Sequence, residues 1–389
     1  MDRRSFLLGM TALGATLSGC SNANQAAFRV RLLKNSIPVQ LPNEFRKQIK
    51  DLQNVNLDFK PESQLQTLFN RLQAWKATNG KPQSAPGLPF IHRSSEPVAD
   101  LVTLGDYWLA VAIRQNLIQP LDPNTWQLWN QLPDRWKQLV SRDNQGNLKP
   151  NAPVWGAPYR WGATVIAYRT DIFRDRNLQP PQDWADLWRE DLRGRIALLD
   201  QPRETIGLTL KKLGQSYNTA DLNKVPILEA ELTALNRQAL VYSSDTSLQS
   251  LLVDDVWAVV AWSTDVLQAM KRNSTIAAVF PHSGTALFTD LWVRPAQSNA
   301  QTALLNQLLN QWINFCWQPA IAPQLSLLSQ AASPMLSTLD PKTFPEALQQ
   351  NSLLTPQPEL LDRSEFLKPI SDTTIEQYRT LWAKIRQPI

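Results

Sequence analysis

Cysteine, histidine and glycine are scarce in this chain of 389 residues, and each shortage excludes something. Of the two cysteines, Cys20 lies in an N-terminal leader-like stretch, so Cys316 has no partner and no disulfide framework can form. The two histidines, His92 and His282, lie far apart in sequence and have no cysteine pair to join them. A zinc site is therefore not expected, no cofactor is implied, and histidine-based nucleophilic catalysis has few candidates. With 13 glycines the chain carries no Walker loop, no G-x-G-x-x-G and no G-x-S-x-G. Lysine and arginine number 39 against 34 aspartates and glutamates, a net charge of only +5, and no long basic block appears. That balance argues against nucleic acid as a partner. No internal repeat is visible.

What is present begins at the N-terminus, MDRRSFLLGMTALGATLSGC. The apolar run from Phe6 to Leu17 is shorter than the roughly 20 residues a membrane span requires. It fits the apolar region of an export signal, with Arg3 and Arg4 as its positive start. Arg3-Arg4-Ser5-Phe6-Leu7 resembles a twin-arginine signal, and Leu17-Ser18-Gly19-Cys20 resembles a lipobox. The expectation is a signal peptide over 1–19, lipid attachment at Cys20, and a small polar tether over 20–27. The protein would then be held at the membrane in the periplasm or cell envelope.

Beyond the tether, short apolar strands alternate with amphipathic helices. Strands are expected at 28–34, 55–59, 97–104, 161–168, 194–199, 238–242, 256–262, 275–280 and 287–293. Helices are expected over Leu41–Leu52, Leu65–Trp75, Asp106–Asn116, 203–213, 221–236, 299–316 and 373–386. KATNGKPQSAPGLP (76–89), rich in proline, glycine and small polar residues, is read as an inserted surface loop. Alternation on this scale predicts an α/β architecture with mostly parallel sheets, in which ligands settle beyond the carboxyl ends of the strands.

The residues that stand out for chemistry are aromatic side chains beside acids at strand ends. They are Asp106-Tyr107-Trp108, Trp161, Asp200 with Glu204, Trp262 with Asp265, and Phe288 with Asp290. An aromatic face attracts a cation by roughly 0.5–2 kcal/mol, depending on desolvation. A carboxylate adds charge-assisted hydrogen bonds and fixes direction. Such pairs along a cleft suit an elongated amine. Most of the 15 tryptophans have a plainer role: Trp126, Trp129, Trp136, Trp184, Trp188, Trp312 and Trp317 fall on helical patterns and are read as packing. Cys316 is read as a buried thiol, and His92 and His282 as loop residues.

Two segments, PVWGAPYRWGATVIAYRTDIF and DWADLWREDLRGRIALLDQPRETIGLTLKKLG, resemble the spermidine/putrescine-binding proteins of bacterial ABC importers. The shared features are Y-x-W-G-A-T, W-A-D-L-W and the R-E segment that ends in L-G. The likeness is densest over 155–214 and extends along most of 28–370. It implies a type II periplasmic-binding-protein fold: two α/β lobes joined by crossover strands, with a ligand cleft between them. Lobe 1 would comprise 28–158 and 287–335, and lobe 2 would comprise 159–286 and 336–389.

The resemblance further implies that Tyr107 contacts a polyamine chain, that Glu204 and Asp290 each bind an amine, and that Trp262 and Phe288 cover the stem. Trp161 would line the cleft floor. The partners implied are a small cationic ligand and the membrane subunits of an ABC permease, with the binding protein itself a monomer and not an enzyme. Four departures from the family pattern bear on the ligand. Leu33-Lys34-Asn35-Ser36-Ile37 replaces an aromatic pair, Gln201 replaces a carboxylate for which the adjacent Asp200 could substitute, and Ala331-Ala332 falls where a tyrosine is expected. Arg160, a new cation beside the crossover, is expected at the surface; turned inward it would repel a polyamine. The alternatives are a binding protein for another small solute, a non-transport sensor with a degenerate pocket, and an exported hydrolase using Glu204 and Asp290 as acid and base.

Overall fold

The computed structural model describes residues 27–49, 55–80, 96–298 and 302–386. The signal-like segment, Cys20, most of the tether, His92 and residues 81–89 of the expected loop lie outside them. The strands are β1 (Ala27–Leu33), β2 (Asn56–Glu62), β3 (Leu101–Gly105), β4 (Ile118–Gln119), β5 (Ala157–Arg169) and β6 (Ile196–Leu198). They continue with β7 (Ala239–Tyr242), β8 (Ala258–Trp262), β9 (Ile276–Val279), β10 (Ala286–Pro295) and β11 (Glu365–Phe366). Hydrogen bonding runs in the order β2-β1-β3-β10-β5-β8-β6-β7.

Two parallel blocks flank an antiparallel centre. In the first block β1 pairs with β2 and β3, and in the second β6 pairs with β7 and β8, always in parallel. Parallel neighbours need a crossover connection, and helices such as Leu65–Ala77 and Pro202–Lys212 fill those intervals. The centre departs from the parallel expectation, because β10 runs antiparallel to both β3 and β5, and β5 antiparallel to β8. With 13 residues, β5 spans about 43 Å at roughly 3.3 Å per residue. Its first half pairs with β10 and its second half with β8 and β9, so it serves both blocks.

Three apolar clusters hold this frame. The largest gathers rings from distant segments, with Trp312 against Phe45, Phe59 and Phe315, and Trp292 stacked on Tyr159 at 4.2 Å. A second surrounds Trp184, Phe173 and Tyr217, and a third joins the helices Pro202–Lys212, Leu228–Gln238 and Asp372–Ile385. Trp126, Trp136, Trp184, Trp312 and Trp317 are buried and Trp129 and Trp188 partly so, consistent with packing. Cys316 is fully buried, and burial pushes its thiol pKa well up.

Phe344, Leu348, Leu353 and Leu354 lie in the large cluster, which takes in residues of both blocks, and Arg135 of the first block still reaches Asp362 at 3.0 Å. The chain reaches the second block only with β11, which joins the start of β10, and with the helix Asp372–Ile385, which packs on Pro202–Lys212.

Arg31, a charged residue on β1, is fully buried. As the middle strand of its block, β1 is covered on both faces. The guanidinium is met by Asp58 at 2.9 Å and by Glu96, whose Oε1 accepts from Nε at 2.6 Å. Asp58 and Glu96 are only half-buried and keep Lys60 and Arg71 as neighbours, so removing Arg31 leaves neither acid stranded. Arg31→Ala is therefore expected to lower unfolding free energy by about 1–3 kcal/mol, read from urea midpoints, and Arg31→Met combined with Asp58→Ala by less. A single-variant loss under about 1 kcal/mol contradicts this assignment.

Candidate functional site

The carboxyl ends of β3, β6 and β8 open onto the junction of the two blocks, where ligand crevices form in open α/β sheets. Each of these strands hands over to a helix whose first turn carries an acid. These are Asp106 after β3, Glu204 after β6 and Asp265 after β8. Helix N-termini favour such negative groups. The crossover strands supply the floor, with Arg160 and Gly162 from β5 and Phe288 and Asp290 from β10.

Glu204 is 8% exposed. Its Oε2 accepts the Thr164 hydroxyl at 2.9 Å, and the neighbouring Trp262 side chain favours its ionised form. Asp106 is equally withdrawn, and its Oδ1 accepts the backbone N–H of Thr289 at 3.0 Å, tying the first block to β10. Burial lifts both acids from the ordinary carboxylate range to about 7. The negative charge of Asp106 adds to the rise at Glu204, placing the two acids within reach of one another across the junction. Asp265 is exposed to water yet walled by protein, and its pKa is raised by that enclosure against the pull of Arg160.

Arg203, next to Glu204, turns its guanidinium toward Asn218 Oδ1 and the carbonyl of Lys368, each at 3.3 Å. Arg142 is buried behind Asp106, and its side chain donates to the carbonyls of Leu139 and Gly146. Among the described residues no three His, Cys, Asp or Glu side chains gather as a metal site would need.

Trp262 closes β8 half-buried, and Phe288 is half-buried on β10. The ring of Phe288 lies over Gly162. A Cβ at that position would fall 2.5 Å from the ring edge and 2.7 Å from Ser263 Oγ, so only glycine admits this placement. Tyr107 is 65% exposed, its ring edge-on to Trp108 at 5.2 Å.

Four expected positions turn out differently. Arg160 is buried, not at the surface, and its Nε and Nη2 both lie 2.6 Å from Asp290 Oδ2. Antiparallel pairing sets the two residues directly opposite, and opposed side chains share a face. Asp290 is thus already engaged by an arginine. Trp161 follows Arg160 on the strand and so points to the other face, where it packs on Trp136 at 5.7 Å and bridges Ala332. It belongs to the core and not to the cleft floor. Asp200 is exposed at the end of β6, where its charge acts on Tyr242, so it does not join Glu204.

Gln201 is exposed, and its backbone carbonyl accepts the N–H groups of Glu204 and Thr205. Ala331 and Ala332 are buried against the crossover. Where the aromatic pair is missing, Leu32, Asn35, Ile37 and Phe59 wall one side of a cavity of about 500 Å³, and Gln268 and Arg272 stand opposite. Asp106 and Asp265 were each noted only beside an aromatic neighbour. The overlooked signal is common to both: an acid in the first helical turn after an apolar strand.

Two outcomes follow from this geometry. Folded Glu204 and Asp106 keep protons that the unfolded chain releases near pH 4–4.5, so folding stability falls as pH rises from there through 7. Glu204→Gln should raise stability at pH 8 by about 1–3 kcal/mol and change it little at pH 4, read by urea unfolding. Destabilisation at both pH values contradicts the assignment. Gly162→Ala should displace the Phe288 ring and cost about 1–3 kcal/mol, with shifted Phe288 ring resonances in NMR spectra. Unmoved resonances contradict it.

Comparison with known proteins places this arrangement. Residues 96–362 match the model of the bacterial extracellular solute-binding proteins. The spermidine/putrescine-binding periplasmic protein 1 of Haemophilus influenzae is 25% identical over 281 residues, covering 72% of this chain and 73% of that one. The spermidine/putrescine-binding periplasmic protein of Escherichia coli K12 is 24% identical over 282 residues, covering 72% and 76%. The solved structure of a spermidine/putrescine ABC transporter substrate-binding protein from Streptococcus pneumoniae superposes with a TM-score of 0.75 at 18% identity, covering 93% of this chain and 98% of that one. The fold is that of the periplasmic binding proteins, and proteins of this kind capture solutes without transforming them, so the hydrolase alternative falls. The chain belongs to the bacterial extracellular solute-binding proteins.

Proposed function

We propose that this protein captures a small polyamine in the cleft between its two blocks and delivers it to the membrane subunits of an ABC importer. The observation that carries the reading is the pair Glu204 and Asp106. One comes from each block, both are withdrawn from water, and both are short of positive charge. A protonated amine supplies that charge. Trp262 and Phe288 offer half-buried ring faces to the methylene stem, and Tyr107 stands exposed beside Asp106 to cover its outer side. Because the acids sit on separate blocks, only an arrangement that brings the blocks together completes the ligand shell, and the solute favours that state by its differential contacts. Lipid attachment at Cys20 would keep a monomeric binding protein beside its permease. The names of the curated relatives support the amine, and the N-terminal sequence supports the anchor.

Isothermal calorimetry with putrescine, cadaverine and spermidine tests this reading. The expected result is saturable binding at micromolar or tighter Kd, weakened about 30-fold or more by Glu204→Gln or Asp106→Asn. Amines of this class stay protonated well above pH 8, whereas Glu204 and Asp106 gain protons below about 7. Affinity should therefore fall as pH drops from 8 to 6, with protons released on binding near pH 7. Absence of heat with every amine overturns the proposal.

A further inference from the structure

The Arg160–Asp290 pair has a bearing on which amine the cleft accepts. We infer that Arg160 is an internal substitute for one ligand charge, a specificity-determining residue that restricts the solute to a diamine or monoamine and excludes longer polyamines. This rests on the amine reading of the cleft given above and narrows it.

Asp290 lies on the face of β10 that also carries Phe288, so its carboxylate belongs to the same floor as the ring. An incoming ammonium would have to displace the guanidinium of Arg160. That group is held by two 2.6 Å contacts to Asp290 Oδ2, and its Nη1 lies 3.5 Å from the carbonyl of Ser329. Both side chains are almost completely out of water. A buried pair with this geometry does not release one partner readily, since the freed charge would be stranded.

The charge around the cleft leads to the same restriction. With all four acids ionised, as at pH 8, Asp106, Glu204, Asp265 and Asp290 contribute four negative groups, and Arg160 and Arg203 contribute two positive ones, a deficit of 4 − 2 = 2. Arg142, behind Asp106, reduces that deficit to one. The cleft therefore calls for one or two ligand charges, and a triamine brings three.

The chain beyond Arg160 resists an extended polycation as well. Past Ser329 the floor opens into the cavity of about 500 Å³, whose apolar walls include Leu32, Ile37 and Phe59 and whose rim carries Lys34, Lys271 and Arg272. None of the described residues lining it is acidic. A polyamine that continued past Phe288 would drive its next ammonium by Arg160 and into this positive rim. Unfavourable juxtaposition of this kind is how a site rejects a competitor it would otherwise hold.

The test is competition calorimetry at pH 8 with putrescine, spermidine and spermine on the wild-type protein, Arg160→Gln and Arg160→Lys. Wild type is expected to bind putrescine about tenfold or more tighter than spermidine, with spermine weaker still. Arg160→Gln frees Asp290 and should improve spermidine about tenfold or more relative to putrescine, while Arg160→Lys keeps the wild-type order. A pair that served only stability would lower the melting temperature in Arg160→Gln without changing that ratio. The inference is overturned if wild type prefers spermidine, or if the ratio is unmoved in Arg160→Gln. Should Arg160→Gln fail to fold, the wild-type ranking still decides. If wild type binds no amine at all, the polyamine reading itself fails and the role of Arg160 fails with it.

Discussion

Glu204 and Asp106 are carboxyl groups kept from water without enough positive charge to satisfy them. Burial opposes their ionised forms, and one hydroxyl, one backbone N–H and the side chain of Trp262 only partly offset that penalty. A structural acid in such a position would ordinarily be matched by a local arginine, as Asp290 is by Arg160 and as Asp58 and Glu96 are by Arg31. The contrast separates the roles. Glu204 and Asp106, with only the more distant Arg203 and Arg142 nearby, lower the stability of the empty protein as pH rises, and under the proposed function the solute supplies the charge they lack.

The frame brings these acids together through β5 and β10, which link the two blocks. Almost every contact of the site passes through them: Thr164 to Glu204, Thr289 to Asp106, Arg160 to Asp290, and the Phe288 ring over Gly162. A shared pair of strands keeps the floor fixed while each block contributes one wall. Differential contact between the walls and the solute can then favour the closed arrangement without rebuilding the floor.

Much of this was legible in the amino-acid sequence. Apolar runs at 161–168 and 287–293 announced the crossover strands, and the helix expected over 299–316 appears as Ala303–Trp317 with Thr302 as its cap. Glu204 and Trp262 stood out as candidates because acid and ring follow apolar strands and match the resembled family's segments. The pairing register of β5 with β10 could not be read, and that register alone turns Arg160 inward against Asp290 and Trp161 away into the core. Both faces of β5 are buried, so its sequence lacks the alternation that would have shown which side chains face the cleft. The burial of Arg31 could not be read either, since alternation reports polarity and not whether a charge has a buried partner.

The most direct measurement is the titration of the Glu204 side-chain carboxyl carbon by NMR, with and without saturating putrescine. The account predicts an apparent pKa near 7 in the empty protein that drops by about two units or more once the amine is bound, because a cation beside a buried carboxylate favours its ionised form. A Glu204 that titrates like a free glutamate in the empty protein, or that is unmoved by saturating diamine, would contradict it.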